Sequence, residues 1–67
     1  MKSIRTELIE AYLLEKELSH TKFAMECGIH LRMLERILEN DLSVDAYMLA
    51  RVAIKMGTSV DELLGLC

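Results

Sequence analysis

The chain has 67 residues, of which 52% are hydrophobic and 28% charged, and its formal net charge is −3. This size allows one small domain, and an apolar composition with three glycines and no proline excludes a disordered chain and favours helices joined by short turns. Aromatic and β-branched residues are too few for a sheet. No apolar run reaches the length of a membrane span. Because the net charge is negative, any basic surface must be confined to one part of the molecule.

A first amphipathic helix is predicted over residues 3–16. Its apolar residues recur at spacings of three to five and define one broad face: Ile4, Leu8, Ile9, Tyr12 and Leu13. Leu14 lies beside this face, and the pattern predicts that it is partly exposed.

Residues 18–40 are predicted to form two short helices with a tight corner at Gly28. The first of the two covers about residues 21–27, and its apolar residues lie on one face at helical spacing: Phe23, Ala24 and Cys27. Ser19 stands ahead of it as an N-cap. Gly28 supplies the positive φ that a helix C-terminus favours.

The second helix of this stretch has two different faces when it is wound at about 100° per residue. Ile29 returns the chain to the apolar layer, and the helix then turns inward Leu34, Ile37 and Leu38. The opposite face carries Arg32, Glu35, Arg36 and Glu39. Asn40, a residue that tolerates the left-handed conformation, is predicted to end the helix.

Two further helices complete the predicted fold. Asp45 is the expected N-cap of a helix over Ala46–Met56, and residues 59–62 form a capping box that opens a last short helix. Each of the two helices ends at a glycine, Gly57 and Gly65. Their inward residues are Leu49, Ala50, Val52, Ala53, Met56, Leu63 and Leu64.

Two groups of these residues carry a family resemblance. The first group comprises Ser19, Ala24, Gly28, Ile29, Leu34 and Ile37. The second group comprises Asp45, Ala46, Leu49, Val52, Ala53, Met56, Gly57 and residues 59–64. In this order they resemble the repressor and Cro-type (XRE-like) helix-turn-helix family of bacteria and their phages, without insertion or deletion from Leu18 to Leu64. The resemblance implies an all-α, five-helix, lambda-repressor-like domain over residues 1–67, with the helix-turn-helix at about residues 19–40.

The resemblance also implies a function. A member of this family is expected to bind double-stranded DNA sequence-specifically, as a small homodimeric repressor on a palindromic operator in the bacterial cytosol or nucleoid. The residues expected to face base edges are Leu31, Arg32, Glu35 and Arg36, since arginine pairs with guanine N7 and O6. Those expected near phosphates are His20, Lys22 and His30.

These assignments have alternatives. Arg32 and Arg36 are, in the alternative, solvated charges paired with the glutamates beside them. Leu31 contacts a thymine methyl, or else is an exposed leucine or part of a protein-binding patch. His30 stands where Ser or Thr usually caps the helix, and since imidazole caps poorly, phosphate contact and simple exposure are the two expectations.

The alternative function is a protein-binding module, such as an antirepressor, that keeps the fold without DNA affinity. The net charge of −3 favours it, because most DNA-binding modules are basic. A reading face on which two arginines stand beside two glutamates favours it as well.

At Leu13, Leu38 and Glu17 the chain departs from the family pattern in ways that bear on the fold. Many relatives carry an arginine at the position of Leu13 and a glutamate at that of Leu38, joined as a partly buried ion pair. Replacing both partners by leucine avoids a stranded charge, so the two leucines are expected to touch. Glu17 stands where a glycine often ends the first helix, so it must either become left-handed or let the helix end differently.

The homodimer is expected to form through the C-terminal part of the chain, where Leu66 has no assigned intramolecular contact, with Leu42 and Ile54 adding to it. Cys67 would then approach its symmetry mate. Three methionines stand where relatives carry polar residues and are expected to add exposed apolar surface: Met25, Met33 and Met48.

No catalytic residue, cofactor or metal is expected. No nucleophilic or paired-carboxylate arrangement stands out, and five short helices leave little room for a substrate pocket. A zinc site at His20, Cys27 and His30 is rejected, because Cys27 is expected to face the core and no fourth ligand is near. Cys27 and Cys67 are expected to be reduced thiols in a cytosol, and neither a signal peptide nor a sensor domain is expected.

Overall fold

The computed structural model describes residues 3–65, which form five helices and no strand. The helices are α1 (Thr6–Lys16), α2 (His20–Cys27), α3 (Leu31–Leu38), α4 (Ala46–Met56) and α5 (Val60–Leu63). The all-α prediction is confirmed for this part of the chain, as are the predicted bounds of the fourth helix. None of these helices is long and apolar enough to cross a membrane.

All five helices contribute to one hydrophobic core. Phe23 of α2 and Leu34 and Ile37 of α3 have no exposed surface. Burial this complete contributes about 1.5–3 kcal/mol for each large apolar side chain. The other buried residues are Ile4, Ile9, Leu13, Ala24, Cys27, Ile29, Leu49, Val52, Ala53 and Leu63. The predicted apolar faces are confirmed except at Ala50, which is half-buried and lines an open groove; Leu8 and Tyr12 are half-buried against the core.

The first helix begins three residues later than predicted, at Thr6 instead of residue 3. Ile4 is buried ahead of the helix, and its backbone N–H donates to Oδ1 of Asn40 at 2.8 Å. The N–H of Arg5 donates to the Leu63 carbonyl oxygen at 2.7 Å. These two hydrogen bonds hold the N-terminal segment against the ends of α3 and α5, and this is why the segment does not coil into α1.

Two residues other than glycine adopt the left-handed conformation in residues 3–65. Glu17 has φ 55° at the end of α1, and Asn40 has φ 64° after α3. The N–H of Leu18 donates to the Leu13 carbonyl oxygen at 2.9 Å, so the turn at Glu17 closes like a glycine-ended helix. Of the two outcomes expected for Glu17, the structure adopts the left-handed one, which costs a non-glycine residue about 1–2 kcal/mol.

Side-chain caps begin three of the helices where the sequence predicts them. Ser19 Oγ accepts from the Lys22 N–H at 3.1 Å, and Asp45 Oδ1 accepts from the Tyr47 N–H at 2.9 Å. Ser59 Oγ accepts from the Glu62 N–H at 3.2 Å. The predicted capping box is only half formed, because the Glu62 carboxylate accepts from the Thr58 hydroxyl instead of returning to Ser59.

The helices pack so that α3 is held from two sides. α2 and α1 both pack against α3, while α4 packs against α2 and α5. Leu13 of α1 is buried and Leu38 of α3 is half-buried against the core, so both predicted partners lie at the margin of the packed layer. Their mutual contact stays a prediction. Leu14 is 82% exposed, more fully than the sequence pattern predicts.

Candidate nucleic-acid interface

The corner between α2 and α3 is closed by backbone hydrogen bonds. Gly28 has φ 75° and ψ 30°, and the N–H of Ile29 donates to the Ala24 carbonyl oxygen at 3.0 Å. A Cβ at Gly28 would lie 2.6 Å from Nη1 of Arg51, which donates to the Cys27 carbonyl oxygen at 3.2 Å. Glycine is therefore favoured here both by the backbone conformation and by the close approach of a side chain from α4.

His30 is the N-cap of α3. Its ring Nδ1 accepts from the Arg32 backbone N–H at 3.2 Å, so the expectation that this imidazole would cap poorly is wrong. The hydrogen bond uses the Nδ1 lone pair, which leaves Nε2 as the ring atom that can donate outward. A phosphate contact by His30, if made, would therefore be made through Nε2.

The outward face of α3 is polar over its whole length. Arg32, Glu35 and Arg36 are exposed, with Glu39 exposed directly after the helix, and all four line one shallow concavity. Leu31 is half-buried and packs against the core, so it offers only part of its side chain to any partner. Three of the four predicted base-facing residues, all but Leu31, thus lie on the side of α3 opposite its buried leucine and isoleucine, and with Glu39 they form a face of balanced formal charge.

Arg36 is engaged by an acidic residue that the sequence pattern did not pair with it. Its Nε lies 3.6 Å from Oδ2 of Asp41, beyond the end of α3. The Asp41 carboxylate also accepts from the Ser43 hydroxyl and the Ser43 N–H, and these hydrogen bonds lower the pKa of Asp41 below its usual 3.8, with a smaller effect from Arg36. Within residues 3–65, no carboxylate lies within ion-pair distance of the Arg32 guanidinium. Of the two arginines, Arg36 therefore has an acidic partner and Arg32 has none within this part of the chain.

The residues predicted to lie near phosphates occupy different settings. His20 is the first residue of α2, and its Nε2 lies 3.5 Å from Oε1 of Glu10 on α1. Lys22 is exposed in the first turn of the same helix, and that first turn contains no acidic residue. Lys22 is thus open to an anion, whereas His20 must leave Glu10 to meet one.

An acidic depression borders the α3 face on the side of α1. It is lined by Glu10, His20, Glu35, Leu38 and Glu39, so three carboxylates surround one imidazole. A nearby phosphate would be repelled by these carboxylates over distances up to the Debye length, about 10 Å at 0.1 M salt. This edge limits how a polyanion can approach α3.

The residues predicted for the dimer interface are only partly described. Leu42 is 49% exposed in the α3–α4 connector and Ile54 is 77% exposed on α4, while Leu66 and Cys67 lie outside the described residues. Met25 is exposed as expected. Met33 and Met48 pack half-buried against the core, so they add less exposed apolar surface than expected.

Cys27 is buried in the core, as predicted. Desolvation by burial raises the pKa of its thiol from 9.0 to about 11, against a smaller lowering by Lys55. The thiolate, which is the reactive form, is therefore scarce at neutral pH.

Sequence reasoning missed a side-chain cluster on α4. Arg51 caps the C-terminal end of α2 through the Cys27 carbonyl oxygen and donates from Nη2 to the Tyr47 hydroxyl at 2.8 Å. Tyr47 and Arg51 stand at i and i+4 on one helix face, the spacing at which side chains meet. This i, i+4 spacing is the feature of the sequence from which the contact between Tyr47 and Arg51 could have been predicted.

Comparison with known proteins identifies no relative: no protein-family model, no curated protein and no solved structure matches the chain. Any function must therefore be argued from the residues and their geometry.

Proposed function

We propose that α2, the Gly28 corner and α3 form a helix-turn-helix of the repressor and Cro type, and that the chain binds double-stranded DNA sequence-specifically as a homodimeric regulator. The observation that carries the proposal is that α3 has one buried face and one exposed face. Its Leu34 and Ile37 are fully buried, while Arg32 and Arg36 point away from the core with α2 packed behind them. A short helix fixed by one face and presenting arginines on the other is suited to the major groove.

Direct readout would begin at the N-terminal end of α3. The eight residues of α3 span about 12 Å at 1.5 Å per residue, enough for a few base pairs. Arg32 lies in the first turn, where a recognition helix meets base edges, and would bind guanine through N7 and O6. Glu35, one turn further, would accept from a cytosine amino group. Arg36 would add a base or phosphate contact after releasing Asp41.

Lys22 supports a phosphate contact at the start of α2. Its ammonium group adds positive charge to a helix N-terminus that contains no acidic residue in its first turn. The Nε2 edges of His20 and His30 would add contacts. With three to five phosphate contacts for each subunit and acidic neighbours on one side, we expect binding that is weak and strongly salt-dependent.

A selection from a random duplex pool tests the proposal. The enriched sites are expected to have twofold symmetry, with half-sites about 10–10.5 base pairs apart. Arg32→Ala is expected to relax the preference for guanine at one position of each half-site, at a cost of about 1–3 kcal/mol. Lys16→Ala removes one positive charge from α1 and serves as the matched control. A pool that shows no enrichment, or equal effects of the two variants, would count against readout by α3.

The second candidate function is binding of another protein through the same fold. The acidic depression of Glu10, Glu35 and Glu39 beside α3 favours it, as does the ion pair between Arg36 and Asp41. The balanced charge of the α3 face favours it as well, because DNA-binding faces are usually basic. Retention of DNA binding distinguishes the two functions.

A further inference from the structure

Three large hydrophobic side chains are the most exposed of their kind in the described part of the chain, and one of them, Met25 of α2, is 72% exposed. Leu14 of α1 is 82% exposed and Ile54 of α4 is 77% exposed. Single exposed leucines are ordinary on protein surfaces. Leu14 and Ile54 differ from ordinary ones in their surroundings, because one stands among acidic groups and the other beside cations.

Leu14 belongs to an acidic stripe on α1, which we define as Glu7, Glu10, Leu14 and Glu17. Glu7, Glu10 and Leu14 recur at i, i+3 and i+7, so they share one helix face, and Glu17 follows directly after the helix. All four residues are exposed. Glu10 meets His20, but within residues 3–65 no cation lies within ion-pair distance of Glu7 or Glu17. The stripe is therefore an apolar side chain bordered by negative charge.

Ile54 lies on an open groove between α2 and α4, which we call the α2–α4 groove, with a volume of about 360 Å³. Buried Cys27 and half-buried Ala50 line it together with Ile54 and Tyr47, which is 58% exposed. No residue of α3 lines this groove. It offers a mainly apolar surface large enough for one aliphatic side chain.

The charge at the groove is positive and fixed in place. Arg51 donates to the Cys27 carbonyl oxygen and to the Tyr47 hydroxyl, and its guanidinium carbon lies 5.1 Å from the centre of the Tyr47 ring. Two of its five N–H groups are so used, and no carboxylate among residues 3–65 lies within ion-pair distance. Glu26 and Lys55 also line the groove, but their charged groups lie 3.3 Å apart and offset each other, so the net charge of the lining comes from Arg51. The Arg51 guanidinium is therefore fixed in position by hydrogen bonds but lacks an acidic partner among the described residues.

We propose that the acidic stripe of one copy docks in the α2–α4 groove of a second copy, with Leu14 against Tyr47 and Ile54 and a stripe glutamate on Arg51. Of the stripe glutamates, Glu10 lies four residues before Leu14 and Glu17 three residues after it. Arg51 lies three residues from Ile54, so about one helix turn separates the apolar and charged contacts on both surfaces. Arginine and carboxylate pair through two parallel hydrogen bonds. The two exposed side chains then cover each other.

This contact deepens the proposed homodimer, and it is measured without DNA so that its failure is separate from a failure of DNA binding. Because the two surfaces differ, the contact either closes as a twofold pair with two such contacts or continues as an open chain. A stripe and groove of this size bury less than a standard interface, so association is expected at hundreds of micromolar protein.

Sedimentation equilibrium on four proteins tests the contact. Leu14→Arg places a cation in the acidic stripe, and Ile54→Glu places a carboxylate in the groove that faces acidic residues. Both positions are exposed, so both variants are expected to fold, which circular dichroism melts check. Met25→Arg changes an exposed methionine of α2 that does not line the groove and is the matched control. Wild type is the fourth protein.

Wild type and Met25→Arg are expected to associate alike, whereas Leu14→Arg and Ile54→Glu each weaken association by at least about tenfold. An equimolar mixture of these two variants is expected to regain association, because it contains one unchanged stripe and one unchanged groove. A wild type that stays monomeric at hundreds of micromolar would overturn the proposal. So would a mixture that does not associate, or a wild-type dimer that Leu14→Arg and Ile54→Glu both leave intact.

Discussion

The side-chain amide of Asn40 bonds both backbone groups of Ile4. Its Oδ1 accepts from the Ile4 N–H at 2.8 Å, and its Nδ2 donates to the Ile4 carbonyl oxygen at 3.1 Å. Asn40 itself has φ 64°, so one residue ends α3 and fastens the segment ahead of α1 across 36 positions of sequence. The position of α3 relative to α1 therefore depends on this amide.

Asn40→Gly is expected to lower the free energy of unfolding by about 1–3 kcal/mol, because it removes two hydrogen bonds. Glycine adopts the left-handed conformation without strain, so the backbone adds no further cost. Asn40→Ala is expected to cost about 1 kcal/mol more, since alanine is strained at positive φ. Urea unfolding of the two variants measures both effects. An Asn40→Gly protein as stable as the wild type would show that the amide contributes nothing.

Glu17→Gly is expected to stabilise the protein by about 0.5–1 kcal/mol. Glu17 has φ 55°, and glycine relieves that strain at some cost in unfolded-state entropy. Glu17→Gln removes the charge alone and is the control. Thermal melts compare the three proteins, and a Glu17→Gly variant that melts below Glu17→Gln would contradict the left-handed ending of α1.

Leu13→Arg alone is expected to cost about 3–5 kcal/mol, because Leu13 is 4% exposed and the new charge would be buried without a partner. Leu13→Arg together with Leu38→Glu is expected to recover part of that loss, since the two side chains would pair. Thermal melts of the two single variants and the double variant measure the coupling. Additive destabilisation would mean that α1 and α3 do not bring these positions together.

Cys27 predicts a loss of stability in alkaline solution. Burial raises its folded-state pKa from 9.0 to about 11, so the folded state keeps a proton that the unfolded state releases. The contribution of the protonated Cys27 thiol to the free energy of unfolding is fully present below about pH 9. It is lost as pH rises through about 11, which lowers the free energy of unfolding by about 2–3 kcal/mol. Urea unfolding from pH 8 to 11, in Cys67→Ser and in Cys67→Ser with Cys27→Ala, isolates the effect. Parallel curves for the two proteins would remove Cys27 as its source.

Local chemistry predicted most helix boundaries. Ser19, Asp45 and Ser59 are strong N-caps, and the glycines Gly28 and Gly57 end helices at the left-handed positions that few other residues occupy. The bounds of α4 follow directly from such a cap and such a glycine.

Features that depend on distant residues were not predictable in this way. The late start of α1 reflects Asn40, which lies 36 positions away from Ile4, and the α2–α4 groove depends on Arg51 reaching the end of α2. The cap by His30 was missed because N-cap preferences favour Ser, Thr, Asp and Asn over histidine, whereas here the ring Nδ1 of His30 reaches the Arg32 N–H. Arg36 turned to Asp41 because the chain bends back after α3.

Fluorescence anisotropy of a labelled mixed-sequence duplex at low ionic strength tests DNA binding by α3 most directly. We expect wild-type protein to bind weakly and Arg32→Ala to bind more weakly than the matched Lys16→Ala. Affinity should fall steeply with salt, with a log–log slope of about −5 to −9 for a dimer making three to five phosphate contacts for each subunit. No detectable binding at tens of micromolar protein would contradict DNA recognition and favour a protein partner.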